Sequence, residues 1–297
     1  MVKFIIFILL AFLYAFADEN PYLISAKEAK ENFKDYIFIF ADSKENYQKE
    51  HIPNSINIDA FYLQDIAIQN KEKERCKYLP LCPQTAKKLF SENGISNKSK
   101  VIIYYTNPDK PYTATYVWFV LYSMGMPETN LKILDGGLNA WKNAGYETTS
   151  TFYNPKKADF KPNPRYNVVA TKEEVLKYVK ERPEDTVLLD VRSFLEHVGK
   201  QPIQEIKRVG HIPGAKFIYW KFFQGKDSFF KPKEKIFKTL DELKITKDKK
   251  IIISCSIGVR SSFVFLALKS IGFNNLKIYT GGWYEWGNDE NLPIWEP

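Results

Sequence analysis

The chain has 297 residues, of which 44% are hydrophobic and 15% aromatic, enough to fill one large core or two ordinary ones and to exclude a disordered chain. Its formal charge of +8 arises from 43 Lys and Arg residues against 35 Asp and Glu residues. The lysines are interspersed with acids, and no basic block or nucleic-acid-binding motif occurs. We therefore expect no nucleic-acid partner and a mild preference for small anions.

The N-terminus has the pattern of a secretory signal peptide. Lys3 precedes an apolar run over residues 4–16, and the small residues Ala15 and Ala17 end it. This pattern predicts a signal peptide over residues 1–17, a periplasmic or otherwise exported protein, and no membrane contact after cleavage. The run is short for a transmembrane helix, although an uncleaved anchor is the alternative.

Several features of the first half recur, in the same order, in the second half. An apolar run ends at Asp42 and again at Asp190, and a His-Ile-Pro string follows at His51 and again at His211. The string NLKI, followed shortly by a Gly-Gly pair, closes both halves. Such self-similarity predicts two tandem copies of one domain.

Within each copy, short apolar runs alternate with helical patterns, which predicts an α/β fold with a mostly parallel sheet flanked by helices on both faces. In the second copy we expect strands at 187–190, 250–254 and 276–279, and helices at 171–181 and 261–271. Thr171 and Glu174 have the spacing of a capping box. The predicted domains are residues 18–147 and 167–297, and a proline-containing linker over residues 148–166 joins them.

The chain has three cysteines, Cys76, Cys82 and Cys255. In an exported protein the first two are close enough in sequence to form a small disulfide loop, but the sequence leaves this pairing open. No cysteine and histidine have metal-ligand spacing, so we expect no metal and no cofactor. Cys255 is left without a partner in sequence.

Cys255 lies where an apolar run turns into a helical pattern, at the strand end where open α/β sheets bind ligands. Gly258 permits a tight turn, whose N–H groups, together with the helix N-terminus, attract anions and favour the thiolate. Arg260 is expected to reach over the same cavity and pair with an anionic substrate. The alternative is that Cys255 is a small buried hydrophobe.

Taken together, these motifs resemble those of two-domain members of the rhodanese family of sulfurtransferases. The matching strings are LLDVRS at 188–193, GHIPGA at 210–215, Cys-x-x-Gly-x-Arg at 255–260 and GGWYEWGNDENLPI at 281–294. The resemblance covers nearly the whole chain after residue 17. It implies two tandem rhodanese-like domains, of which the second, with the cysteine, is catalytic.

The resemblance also implies a double-displacement reaction. The Cys255 thiolate would take the outer sulfur of a small anionic donor such as thiosulfate and pass it to cyanide, a thiol or a protein acceptor. The persulfide would be held by the loop residues Ser256, Ile257, Gly258, Val259 and Arg260. Asp190 and Arg192 would position the wall of the site or form an ordinary ion pair. We expect His211, Trp283 and Trp286 to hold the fold.

The loop leaves the donor open. Thiosulfate-handling members often have basic residues after the cysteine, where this chain has the neutral Ser256 and Ile257. Mercaptopyruvate-handling members have small neutral residues there but usually lack the final arginine. Because Arg260 is present, thiosulfate or a related donor is favoured; a 3-mercaptopyruvate sulfurtransferase and a non-enzymatic sulfane-sulfur carrier are the alternatives. A related phosphatase would need five residues between cysteine and arginine, and here there are four.

In the first half, Tyr105 or Thr106 stands where the cysteine would be. The residues that follow disrupt the glycine-containing turn: Pro108, Asp109 and Pro111. The first domain is therefore expected to be catalytically silent and to cover one face of the second.

Overall fold

The computed structural model describes residues 20–71, 76, 79–226 and 229–296. The predicted signal peptide, residues 1–17, lies outside them. Within the described residues, no helix has the length and apolar character needed to cross a membrane.

The first domain is built on a parallel five-stranded sheet with the order β1-β5-β4-β2-β3. Its strands are β1 (Leu23–Ile24), β2 (Tyr36–Phe40), β3 (Ile56–Asn57), β4 (Lys100–Tyr104) and β5 (Leu131–Leu134). Its described helices are α1 (Ala26–Glu31), α2 (Lys44–Lys49), α3 (Ala60–Lys71), α4 (Pro83–Glu92), α5 (Tyr112–Ser123) and α6 (Gly137–Asn143).

The second domain repeats this plan with the strand order β6-β10-β9-β7-β8. Its strands are β6 (Val169–Ala170), β7 (Thr186–Asp190), β8 (Lys216–Phe217), β9 (Lys250–Ser254) and β10 (Leu276–Tyr279). Its described helices are α7 (Lys172–Glu181), α8 (Phe194–His197), α9 (Lys233–Glu242), α10 (Val259–Ser270) and α11 (Gly282–Asn288). The predicted fold, two similar parallel α/β domains, is confirmed.

Each central strand is buried on both faces, which explains its continuous apolar sequence. In β9, Ile251 and Ile253 join a core that runs through both domains, whereas Ile252 joins a separate core on the outer face of the second sheet. Successive side chains point to opposite faces of a strand, so one run of isoleucines fills two cores.

The predicted equivalence of Asp42 and Asp190 is wrong. The last residue of β4 lies opposite Phe40, and the last residue of β9 lies opposite Asp190. Asp190 therefore corresponds to Phe40, and Arg192 corresponds to Asp42. The sequence strings gave a false match because an aspartate stands two positions later in one copy than in the other.

The two histidines of the His-Ile-Pro strings do correspond in space. His51 exchanges backbone hydrogen bonds with Thr149, and His211 exchanges them with Trp295, near the end of each domain. His211 is 8% exposed and stacks on His197 with ring centroids 3.8 Å apart. These contacts give His211 the fold-holding position predicted from the repeat.

Other local predictions need correction. Thr171 accepts the N–H of Glu174 at 3.1 Å, but the Glu174 carboxylate pairs with lysines of β9 and β10, so only half of the capping box forms. Helix α10 begins at Val259, two residues before the predicted start, and Arg260 therefore lies in its first turn. Cys76 and Cys82, left open by the sequence, form a disulfide.

The predicted linker has no helix or strand over residues 150–165, but it lies against the first domain. Phe160 is fully buried and packs on Phe90, with ring centroids 5.0 Å apart. The Ala158 N–H donates to the carbonyl of Ser91 at 2.9 Å. The segment therefore contributes to the first domain's core.

The two domains meet through equivalent helices, α5 and α10. The hydroxyl groups of Thr115 and Ser262 are 2.8 Å apart, and the rings of Phe119 and Phe265 are 5.1 Å apart. All four residues are buried. This contact places the N-terminus of α10, and the cysteine before it, beside the first domain.

Candidate active site

Cys255 follows the last residue of the central strand β9 and precedes the first turn of α10. Gly258 caps that helix with a φ of +85°, a left-handed conformation that favours glycine. The Gly258 N–H donates to the Cys255 sulfur at 3.1 Å. Cys255 is 1% exposed, so its sulfur lies in an enclosed site with a backbone donor already aimed at it.

The loop carbonyls are fixed from the other side by α11. The N–H groups of Trp283 and Tyr284 donate to the carbonyls of Cys255 and Ser256 at 2.8 and 2.9 Å. Gly282 makes this approach possible: its φ is +55°, and a Cβ there would lie 2.5 Å from the Cys255 carbonyl oxygen. In the second half, the Gly-Gly pair therefore lets α11 hold the Cys255 loop in place.

Arg260 is held by the carboxylate of Glu196, which the residues of its own loop do not indicate. Its Nη1 and Nη2 donate to the two oxygens of Glu196, each at 2.7 Å, and Nη2 also donates to the Ser256 hydroxyl at 2.6 Å. Burial opposes ionisation of Glu196, but the hydrogen bonds and charge of Arg260 lower its pKa to about 2. The pair is charged at neutral pH, so Arg260 is engaged rather than free.

A sequence signal for Glu196 did exist. Ser193 and Glu196 form a complete capping box at the start of α8, with the Ser193 N–H donating to Glu196 Oε2 at 2.9 Å. That motif fixes the glutamate next to the helix start. Only the fold shows that the same carboxylate also meets Arg260, 64 residues later.

Asp190 and Arg192 form a buried ion pair with Nη2 2.6 Å from Oδ2. Arg192 also donates to the Gly210 carbonyl at 2.7 Å and lies over the Trp283 ring at 4.7 Å. Burial raises the pKa of Asp190, but Arg192 and His197 outweigh it and hold that pKa well below its ordinary value. Arg192 is only 2% exposed. The pair therefore connects the end of β7 to Gly210 of the GHIPGA string and to Trp283, as an ordinary structural ion pair does.

The two tryptophans are core residues, as predicted. The indole N–H of Trp283 donates to the Arg208 carbonyl at 3.0 Å, and that of Trp286 donates to the Pro293 carbonyl at 2.8 Å. Both rings are buried. Through the bond of Trp286 to Pro293, they fix the C-terminal segment to α11, the helix that contacts the Cys255 loop.

The first domain contributes to the surroundings of Cys255. Tyr116, on α5, is buried, and this burial together with the nearby charge of Cys255 raises the pKa of its phenol. At the domain boundary, Lys221 pairs with Asp109 at 2.9 Å, and Gln224 donates to the Pro108 carbonyl at 2.7 Å. The loop that replaces the cysteine loop in the first copy thus contacts the second domain.

In the first domain, Tyr105 occupies the position of Cys255, directly after β4. The loop from strand end to helix cap is three residues longer there, 104 to 111 against 254 to 258. Three residues after the serine that caps the helix, the first domain has Asn46 where the second domain has Glu196. At the second residue of the interface helix, the first domain has Thr113 where the second domain has Arg260. The first domain therefore has no counterpart of Cys255, Glu196 or Arg260.

Comparison with known proteins agrees with the geometry. A model of the rhodanese-like domain matches residues 25–144 and 171–289. A Saccharopolyspora erythraea protein named "Putative thiosulfate sulfurtransferase" is 30% identical over 286 residues, covering 93% of this chain and 96% of the relative. A Thermus thermophilus protein named "Sulfur carrier protein TtuD" is 33% identical over 217 residues, covering 70% and 74%.

Among solved structures, wild-type EanB superimposes with a TM-score of 0.81 at 22% identity, covering 93% of this chain and 69% of EanB. At this sequence identity, the similarity to EanB supports the fold and nothing beyond it.

Fold and site together define a two-domain α/β protein with a free, buried cysteine at the strand-to-helix turn of its second domain. The chain belongs to the rhodanese family and carries two rhodanese-like domains in tandem. Its relatives support a role in sulfur transfer.

Proposed function

We propose that this protein is an exported sulfurtransferase that takes a sulfane sulfur from thiosulfate and carries it as a persulfide on Cys255. The observation that supports this most directly is the hydrogen bond of 3.1 Å from the Gly258 N–H to the Cys255 sulfur, in a loop with four residues between Cys255 and Arg260.

The first half-reaction is a displacement at sulfur. The Cys255 thiolate attacks the outer sulfur of thiosulfate, a sulfur–sulfur bond forms to the cysteine, and the bond to the sulfonate sulfur breaks to release sulfite with the electron pair. The terminal sulfur of the persulfide carries one negative charge. N–H groups of the loop, together with the N-terminus of α10, stabilise that charge.

In the second half-reaction an acceptor attacks the terminal sulfur, and the Cys255 thiolate leaves. Cyanide would depart as thiocyanate, and a thiol would depart as a persulfide after losing its proton. The buried position of the sulfur, 1% exposed, favours small or slender acceptors. It also limits loss of the persulfide to other thiols in bulk solvent.

The size of the loop supports sulfur over phosphate chemistry. Gly258 already donates to the cysteine sulfur, and the Cys255 and Ser256 carbonyls are fixed by α11. A turn drawn this closely around one atom suits a single additional sulfur. A tetrahedral phosphate would need a wider ring of donors.

A steady-state assay with thiosulfate and cyanide tests the proposal. Wild-type protein should form thiocyanate and sulfite in equal amounts, and Cys255→Ser should form neither above background. Tyr105→Phe, at the equivalent position of the first domain, is the matched control and should retain wild-type turnover. Equal turnover by Cys255→Ser and wild type would contradict the proposal.

A sulfur carrier is the second candidate, because one relative bears that name at 33% identity. It would form the same persulfide but pass the sulfur only to a docked protein. Substantial turnover with cyanide and small thiols supports the enzyme, whereas a stable persulfide that small acceptors do not discharge supports the carrier. Running the assay with 3-mercaptopyruvate, a monoanion at neutral pH, tests the remaining donor.

Export follows from the signal-peptide pattern at residues 1–17. If it is correct, protein isolated from its native host begins at Asp18, which N-terminal sequencing detects. A mature chain that still begins at residue 1 would contradict it.

A further inference from the structure

The positive charge next to the active-site cysteine is balanced within the site. Both terminal nitrogens of Arg260 are bound by Glu196 at 2.7 Å, and the Ser256 hydroxyl, which accepts from Arg260, donates to Glu196 at 3.2 Å. Glu196 is 6% exposed, so water screens this interaction weakly. An approaching donor therefore meets an ion pair, and not the full charge of an isolated arginine.

A second described cation near the loop, Lys221, is also paired with a carboxylate. Lys221 lies near enough to the Tyr112 phenol to act on it, as Arg260 does. Its ammonium group is 2.9 Å from the carboxylate of Asp109. Both described cations, Arg260 and Lys221, are therefore paired with carboxylates, which leaves the backbone N–H groups of the loop to meet a donor anion.

The Glu196–Arg260 pair is not needed to build the domain. The first domain forms the same sheet and the same capped helix with Asn46 at the glutamate position and Thr113 at the arginine position. Ser43 still caps α2 there by accepting the Asn46 N–H at 3.3 Å. Of the two copies, the pair occurs only in the one with the cysteine, which connects it to chemistry at that cysteine.

We propose that Glu196 is a positioning residue that determines donor specificity: by neutralising Arg260, it lowers the preference of the site for dianionic over monoanionic sulfur donors. This inference rests on the proposed function, because it concerns the donor of the Cys255 persulfide. It concerns how far the site prefers dianionic over monoanionic sulfane-sulfur donors, and not whether it can use either.

Two donors that differ in one charge separate this effect from general damage. Thiosulfate transfers its outer sulfur to the Cys255 thiolate and releases sulfite, a dianion. Methanethiosulfonate transfers its outer sulfur in the same displacement and releases methanesulfinate, a monoanion. Each step forms and breaks one sulfur–sulfur bond, and needs no oxidant or reductant.

The experiment compares kcat/KM for these donors in the full mature chain, with cyanide as the acceptor. Removing one negative charge about 8 Å from the donor, at an effective dielectric of about 20, should favour the extra charge of thiosulfate by about thirtyfold. Glu196→Gln should therefore raise the ratio of thiosulfate to methanethiosulfonate kcat/KM by about thirtyfold, chiefly through KM. The ratio does not depend on how much of the variant is correctly folded.

Two further variants complete the test. Arg260→Gln should lower the same ratio, and the double variant should return towards the wild-type value. Glu50→Gln is the matched control, since Glu50 also accepts a cation at 2.7 Å, from Lys142, but on the first domain. Its ratio should not change.

The outcomes distinguish this inference from the proposed function. A ratio in Glu196→Gln within about twofold of wild type, with both donors slowed equally, would mean that Glu196 only supports the loop and would overturn the inference. The proposed function would survive that result. If wild-type protein forms no persulfide with either donor, both proposals fail.

Discussion

Gly282→Ala is expected to disable the active-site loop, whereas Gly137→Ala, the same change in the first copy, is expected to spare it. The two glycines have φ values of +55° and +59° and occupy equivalent places. A Cβ at Gly282 would lie 2.5 Å from the Cys255 carbonyl oxygen, and one at Gly137 would lie 2.4 Å from the Tyr105 carbonyl oxygen. Only the first of these carbonyls belongs to the cysteine that we propose carries the sulfur.

The cost in stability should be similar for the two variants. A left-handed alanine costs about 1–2 kcal/mol, and each weakened backbone hydrogen bond costs about 1 kcal/mol. Gly282→Ala affects two such bonds, from Trp283 and Tyr284, and Gly137→Ala affects one, from Leu138 to Tyr105. We expect losses of about 3–4 and 2–3 kcal/mol in the free energy of unfolding.

The effect on chemistry should differ sharply. Moving the Cβ from 2.5 Å to an ordinary contact of 3.4 Å displaces the Cys255 carbonyl by up to about 0.9 Å, and a misplacement near 1 Å can lower a rate by about 100-fold. Urea unfolding gives stability, and single-turnover persulfide formation per folded molecule gives the rate. Gly282→Ala should be slowed by about 100-fold and Gly137→Ala by less than about threefold. Equal rates in the two variants would contradict the role of Gly282 and α11 in holding the Cys255 loop.

Three further results are expected. Arg192→Met should cost about 3–5 kcal/mol of unfolding free energy, because it leaves the Asp190 carboxylate buried without its guanidinium partner; a loss below about 1 kcal/mol in urea titration would contradict this. Phe265→Ala should cost about 3–5 kcal/mol by opening a cavity at the domain interface; a loss under about 1 kcal/mol in the same titration would mean that the interface adds little. The pKa of Glu196 is lowered from 4.5 to about 2, so its contribution to stability is complete well above pH 4.5 and is lost as the pH falls towards 2. Wild type should therefore lose about 2 kcal/mol more unfolding free energy than Glu196→Gln between pH 7 and pH 3. Equal losses in urea titrations at the two pH values would contradict the shifted pKa.

Features that depend on a local string of residues could be predicted from the sequence. The strand at 250–254 matches β9 residue for residue, and the strand at 276–279 matches β10. Both are continuous apolar runs bounded by turn residues. The sequence predicts Cys255 at a strand end because the apolar run, the glycine and the helical pattern are contiguous, and the structure has it there.

Features that depend on register or on distant contacts could not. Residue type matches Asp42 to Asp190, but the strand registers of the two sheets show that Asp190 corresponds to Phe40. Similarly, the loop neighbours of Arg260 alone predict that its side chain faces the donor. Its partner Glu196 lies 64 residues earlier on another element, and only folding brings the two together.

The central claim is that Cys255 carries the transferred sulfur, and the intact mass of the protein tests it most directly. Mature wild-type protein treated with thiosulfate should gain about 32 Da on Cys255, the mass of one sulfur atom, and should lose it when cyanide is added. Wild-type protein that gains no such mass, or a Cys255→Ser variant that gains it equally, would contradict the claim.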